Sequence, residues 1–470
     1  DLDTLKDEKL LTQDEIDACW WCDKQDQVKY DALYYYRFPL LRKAYERSSH
    51  KESVEYQAFL EENEEWLDDY ALYMAVKGKY EGKGWMDWDE DIRFRRPEAL
   101  SACREELAEE INYWKFLQFK FFEQWKKLKQ YAKEKELQIV GDIPIYVALD
   151  SADVWSHPEL FQLDEENLTP LKVSGVPPDA FSEDGQLWGN PLYDWEKMEQ
   201  TDFAWWRSRM KASAKLYDAV RIDHFIGVVQ YYAIPYGAVT AKDGEWEKGP
   251  GKKLTDALDE AAGETKIIAE DLGVFCQEVK DLLAETGYPG MKIIEFAFSG
   301  DRFNEHLPHC YDPNSVVYGG THDNETLAGY FKPEKRQWWE LQYIADYLGA
   351  AHQSEVVDRV FRAAYGSVAS VAIFQMQDVL KLDNWARMNT PGTLGENWRW
   401  RLVPGQFTDE RADLAACRVL LVDCIGLLSS IYRYGAIAYI GGGFGKGIHN
   451  TLEAAIYGVP VIFGPKFHKF

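Results

Sequence analysis

An α/β fold built on a parallel sheet, with a (β/α)8 TIM-type barrel as the favoured closure, is what this sequence predicts. Three observations carry that expectation. Short apolar runs at 137–140, 219–222, 267–269, 291–296, 315–318 and 371–376 are separated by loops and helical stretches, and strands alternating with helices give a parallel sheet. Three of the runs lead into acidic residues, as barrel strands do when they carry chemistry to one face. The 470 residues suffice for a large barrel with additions.

In chain order, residues 1–29 read as polar and irregular, then helical. Residues 30–136 read as a large helical insertion. Ser53 opens an acidic helix without a full capping box. Residues 85–97, rich in Trp, Asp and Arg, read as a loop. A long helix follows from Glu109 to Glu136. Its aromatic residues Tyr113, Trp114, Phe116, Phe119, Phe121, Phe122 and Trp125 cover more than one face, which predicts a buried helix. Residues 150–200 are rich in Pro, Gly, Asp and Trp. A loop that long inside a domain is usually functional, so this region is the candidate substrate loop.

The chemistry centres on Arg221-Ile222-Asp223-His224. Side chains alternate along a strand, so Arg221 and Asp223 face the same way. A neighbouring guanidinium keeps a carboxylate ionised. Alone, the pair reads equally well as a structural ion pair at a strand end. Two later strand ends tip the balance, one running into Glu270-Asp271-Leu272-Gly273 and one into Thr321-His322-Asp323-Asn324. Two carboxylates flanking a glycosidic bond suffice for retaining chemistry, and a third can stabilise the oxocarbenium-like transition state.

These blocks, with Gly141-Asp142-Ile143-Pro144-Ile145-Tyr146, Gly175-Val176-Pro177-Pro178-Asp179-Ala180-Phe181 and Leu187-Trp188-Gly189-Asn190-Pro191, resemble the amylomaltases, or 4-alpha-glucanotransferases. The resemblance runs from residue 1 to about 416. It implies that Asp223 is the nucleophile, Glu270 the acid/base and Asp323 the stabiliser. It also implies that Asp142, Arg221, His322, His224, Phe181, Trp188 and Asn190 bind substrate, with Phe181 and Trp188 in a substrate-guiding loop. Substrates would be α-1,4-glucans and malto-oligosaccharides, with no cofactor. The family places two strands, and a Ser-Pro-Tyr loop with a sugar-stacking tyrosine, upstream of the block matching residues 1–11. The expectation is therefore an open six-stranded arc and weak or absent activity.

Composition narrows the alternatives. A net charge of −26 would repel nucleic-acid phosphates. No run is apolar enough to span a membrane, and a cytoplasmic location is expected. Aromatic residues make up 15% of the chain, which suits stacking of sugar faces, although large cores use them too. The seven cysteines are scattered and suggest no disulfide framework. Cys19-Trp20-Trp21-Cys22 has no second pair for zinc and no preceding strand for a redox motif. His157, His224 and His322 lack metal-ligand spacing, and no metal is expected.

From about 418 the pattern changes. Strands are expected at 419–423, 436–440 and 459–463, with a glycine-rich loop at 441–447 and a helix start near Asn450. The loop misses both the Walker and the dinucleotide patterns. Residues 441–455 and 460–470 resemble part of the C-terminal, Rossmann-like domain of the Kdo transferases, so 418–470 reads as a partial nucleotide-sugar-binding segment joined to a glucanotransferase. Beside the leading reading stand a catalytically impaired glucan-binding fragment and a nucleotide-sugar-dependent Kdo transferase.

Overall fold

The computed structural model describes residues 1–178, 182–273 and 276–403, with the backbone of 438–440 and 461–463. The chain forms two compact units, one of residues 1–23 and 28–400, the other of residues 24–27 and 401–470.

In the first unit the strands in chain order are β1 (Val140–Ile143), β2 (Lys172–Val176), β3 (Gln186–Pro191), β4 (Ala219–Ile222), β5 (Gln230–Pro235), β6 (Glu245–Lys248), β7 (Lys266–Ala269), β8 (Gly290–Ile293), β9 (Ser315–Tyr318) and β10 (Val371–Ile373). β1, β4 and β7 form one parallel sheet, and β8, β9 and β10 another. The two abut where the Ala269 amide donates to the Pro289 carbonyl at 3.0 Å and the Met291 amide to Asp271 Oδ1 at 2.7 Å. Six parallel strands thus follow one another in chain order among the described residues, where the apolar runs lie. All residues of β4 and β9 are buried, as expected of strands covered on both faces.

β1 corrects the expected strand at 137–140. Leu137 is exposed, and pairing begins at Val140 because Asp142 aligns with Arg221. The glycine at 141 is required there. A Cβ would meet the Tyr217 ring at 2.1 Å.

A second correction concerns residues 150–200, which fold rather than form one loop. Ser151 caps a short helix, Ala152–Ser156, and Asp194 caps another, Trp195–Gln200. Between them β2 and β3 join β5 and β6 in an antiparallel sheet of order β3-β2-β5-β6. Glycine, asparagine and proline in β2 and β3 weaken the strand signal. Tertiary contacts restore it, including Lys172 Nζ bridging Glu245 and Glu247, and the Tyr232 ring edge-on to Trp246 at 5.3 Å.

Helices occupy much of residues 30–134, from Tyr30–Ala32 to Ala108–Glu134, with two revisions to the expected pattern. Residues 85–97 are not a bare loop, since Trp85–Asp87 and Glu90–Arg93 are helical turns and both Trp85 and Trp88 are buried. The long helix, Ala108–Glu134, buries only Tyr113, Phe116 and Ala132 completely. Phe121 is about half exposed, at 47%, and the exposed Lys126, Lys127 and Lys133 likewise keep one side of the helix at solvent. These helices and the parallel sheet share one core, which includes Trp85, Trp88, Trp155, Tyr193, Trp206, Val220 and Ile222. Asp150, beyond β1, fastens the two by accepting from Tyr73 Oη, Lys77 Nζ and the Trp85 amide.

In the second unit β11 (Ala438–Ile440) pairs in parallel with β12 (Val461–Phe463), within two of the expected tail strands. The strand expected at 419–423, the glycine-rich loop at 441–447 and the helix start near Asn450 lie outside the described residues.

Candidate active site

The register of the parallel strands assembles the site. Ile222 at the end of β4 pairs with Ala269 at the end of β7, so Asp223 and Glu270 leave the sheet at the same level. The Glu270 amide donates to the Ile222 carbonyl, and the Phe225 amide to the Glu270 carbonyl. His224 turns between them with φ 51°, an uncommon conformation for a non-glycine residue. The turn directs its amide to Glu270 Oε2 at 2.7 Å, while the Leu272 amide reaches Oε1 at 2.9 Å.

Arg221 holds the centre. Its Nη1 donates to both carboxylate oxygens of Asp142 at 2.7 and 2.8 Å, and its Nη2 pairs with Asp223 Oδ1 at 2.8 Å. Met291 Sδ supports Nε at 3.2 Å. Burial works against the guanidinium charge, but the carboxylates of Asp142 and Asp223 outweigh it and hold the Arg221 proton more firmly than usual.

Glu270 behaves differently from Asp223. It is 7% exposed. Burial first, then the Asp223 charge, pushes its carboxyl up to about 7, against Arg221 and the two backbone donors. Asp223 sits in direct contact with a guanidinium. Two neighbouring carboxyls, one buried and raised and the other paired to a guanidinium, are an arrangement from which acid and base roles arise.

Asp323 lies on the loop after β9. Asn389 Nδ2 donates to its Oδ1 at 2.6 Å, Arg387 Nη2 to its backbone carbonyl at 2.6 Å, and His322 Nε2 lies 3.4 Å from Oδ2. The Asn389 amide holds the His322 carbonyl at 3.1 Å, and the Trp398 ring packs on the His322 imidazole at 5.1 Å. Asp142, Arg221, Tyr318 and His322 line one cavity of about 260 Å³.

His224 Nε2 is buried without a hydrogen-bond partner, and burial lowers the imidazole to about 4, so the ring is neutral near pH 7. The Trp188 ring stands edge-on to it at 4.8 Å and is partly exposed. Asn190 donates from Nδ2 to the Val147 carbonyl at 3.0 Å, and its Oδ1 accepts from Ser174 at 3.4 Å. Phe181 lies outside the described residues. The structure therefore links Asp142, Arg221, Asp223, His224, Glu270, His322, Asp323 and Trp188 in one region. His157 belongs elsewhere, 3.5 Å from Glu159. Among the described residues no group of three or more His, Cys, Asp or Glu is placed to hold a metal ion.

The local pattern of the sequence assigned no part to Arg387, Asn389 or Met291. Nothing in local spacing ties residues 64 and 66 positions away to Asp323.

Fold and site together define an α/β protein with a carboxylate cluster at the ends of neighbouring parallel strands, an architecture suited to glycosidic chemistry. The chain matches the 4-alpha-glucanotransferase family over residues 1–406. It is 46% identical over 413 residues to the 4-alpha-glucanotransferase of Clostridium butyricum, covering 88% of this chain and 85% of the relative. It is 43% identical over 396 residues to that of Thermus thermophilus, covering 82% and 79%. The solved amylomaltase from Streptococcus agalactiae in complex with acarbose matches with a TM-score of 0.83 at 39% identity, covering 87% of this chain and 83% of that one. This chain belongs to the 4-alpha-glucanotransferase family.

Proposed function

We propose that this chain transfers α-1,4-glucan segments from a donor to the 4-hydroxyl of an acceptor glucan or glucose, with retention and through a covalent glycosyl-enzyme. The observation that carries the reading is the contrast between Asp223, paired to Arg221, and Glu270, buried and held up to about 7. Asp223 Oδ attacks the anomeric carbon while Glu270 gives its proton to the departing glycosidic oxygen. The acceptor hydroxyl then attacks the same carbon, Glu270 takes its proton, and the bond to Asp223 breaks. Asp323 stabilises the oxocarbenium-like charge in both steps.

Asp142, Arg221 and His322 line the cavity beside Asp223 and hold the sugar at the cleavage position. His224, neutral and with a free Nε2, suits a sugar hydroxyl, and Trp188 with Phe181 guides the chain. The six parallel strands belong to a TIM-type barrel on this reading, with residues 30–136 inserted in it. A reducing compartment, the cytoplasm, suits a chain whose described cysteines are all free.

Maltotriose disproportionation tests the proposal. Glucose and longer maltooligosaccharides are the expected products. Asp223→Asn keeps the shape but loses the nucleophile, so transfer should fall on the order of 10³-fold or more while maltooligosaccharide binding stays within a few-fold. Wild-type transfer by that variant would remove Asp223 from its role.

A further inference from the structure

Glu295 is a buried carboxyl that the proposed mechanism does not use. It lies in the turn Ile294–Phe296 at the exit of β8 and is 3% exposed. Its amide donates to the Gly319 carbonyl at 3.2 Å, and its own carbonyl accepts from the Tyr330 hydroxyl. Oε2 accepts from Asn324 Nδ2 at 3.1 Å, while Oε1 is buried without any partner. The backbone presses against it, since a Cβ on Gly320 would stand 2.8 Å from Oε1.

An anion with an orphaned oxygen in such a place is costly. The groups around it do not rescue the charge. Asp378 on the helix Met376–Val379 and Glu325 on the loop after β9 both oppose it, and only Arg387 and the Asn324 amide favour it. Burial outweighs these two and pushes the Glu295 carboxyl up to about 9, so near neutrality it is uncharged. Asp378 is itself fully buried, with Oδ1 on the Leu327 amide and Oδ2 unpartnered, and burial lifts it to about 7.

From Glu295 a short chain of hydrogen bonds leads to Asp323. With its Nδ2 committed to Glu295, Asn324 turns Oδ1 toward Thr321, where it accepts from the amide and from Oγ1, both at 2.9 Å. Thr321 Oγ1 in turn accepts from the Asp323 amide at 3.3 Å. The turn is closed by the Asn324 amide on the Thr321 carbonyl at 3.0 Å. The opposite side of Asp323 is held by Asn389 and Arg387.

We propose that Glu295 is a positioning residue for Asp323: it clamps Asn324, Asn324 sets the turn 321–324, and the turn aims the Asp323 carboxylate. Ionised Glu295 would add a further negative charge near the Asp323 loop, which already carries Asp323 and Glu325, and would draw on Arg387, which secures the Asp323 carbonyl. The inference rests on the reading of Asp323 as transition-state stabiliser.

The test compares wild type, Glu295→Gln, Glu295→Ala and Asp323→Asn in maltotriose disproportionation from pH 5 to 10, with folding followed by circular dichroism. Glu295→Ala should lower kcat on the order of tenfold with KM within about twofold, because aim is lost and ground-state binding is not. Glu295→Gln, the neutral isostere, should stay within about threefold of wild type. Above about pH 9 the wild type should lose activity with one more proton dependence than Glu295→Gln, since only the acid can ionise. If Glu295→Ala fails to fold, the comparison of wild type with Glu295→Gln at high pH still decides. A common alkaline limb in those two, or equal losses for Gln and Ala, overturns the inference. With Asp323→Asn inactive, a wild-type-like Glu295→Ala overturns the inference alone. Full activity in Asp323→Asn overturns the underlying reading and the inference with it.

Discussion

At the scale of single residues, the site works by giving two similar side chains different surroundings. The Asp223 carboxylate contacts Arg221, while Glu270 is buried and close to the charge of Asp223. The pH dependence follows by sign. A general acid must be protonated, so activity governed by Glu270 is present below about 7 and is lost as pH rises through that value. In Glu270→Gln the departing oxygen receives no proton. Donors with good leaving groups, such as aryl glycosides, should then form the glycosyl-enzyme far faster than maltotriose does, and that step should lose its alkaline limb near pH 7. Measuring the rate of aryl-alcohol release against pH checks this. Equal impairment with activated and natural donors would assign the proton transfer elsewhere. The same scale shows what a sequence leaves legible. Arg221, Asp223 and Glu270 sit at strand ends, where alternation and apolar runs reveal which way they face. Arg387, Asn389 and Glu295 reach the Asp323 loop through space, and only the fold brings them there.

At the scale of elements, the parallel strands were readable because four of the six are compact apolar runs whose period needs no neighbour to be recognised. The antiparallel sheet was not. β2 and β3 carry residues that weaken strands, and they become strands because β5 presents Tyr231, Tyr232, Ala233 and Ile234 beside β2. Gly175 in β2 is the tightest point of that packing. A Cβ there would lie 2.2 Å from the Gln186 carbonyl oxygen and 2.5 Å from Ile234 Cδ1. The obstacle on one side is backbone, which cannot swing aside as a side chain can. Gly175→Ala should therefore destabilise the protein by about 1–3 kcal/mol and displace β3. Since β3 carries Trp188, KM for maltotriose should rise more than kcat falls. Thermal unfolding together with steady-state kinetics reads both effects. A variant melting like the wild type would mean that β3 gives way freely.

At the scale of the molecule, the question is whether the helical insertion and the strand-bearing region fold separately. Trp155 argues against separate folding. It sits on the helix after β1 and is fully buried. Its ring meets Trp88 edge-on at 5.4 Å and Tyr73 at 5.9 Å, its Nε1 donates to the Ile92 carbonyl at 3.2 Å, and the Arg95 guanidinium covers it at 4.4 Å. All four of those partners come from the insertion. One side chain that belongs to the strand region is thus surrounded by insertion residues, and the core continues from there through Tyr193 and Trp206 to β4. Removing the ring leaves a cavity that neither part can fill alone, at a cost of about 3–5 kcal/mol. Because both parts line the cavity, neither retains a complete core once the other is lost, and the loss should be cooperative. For Trp155→Ala, the denaturant curve of helical circular dichroism and the curve of transfer activity should shift together and remain coincident. Helical signal persisting after activity has gone would show that the insertion stands on its own.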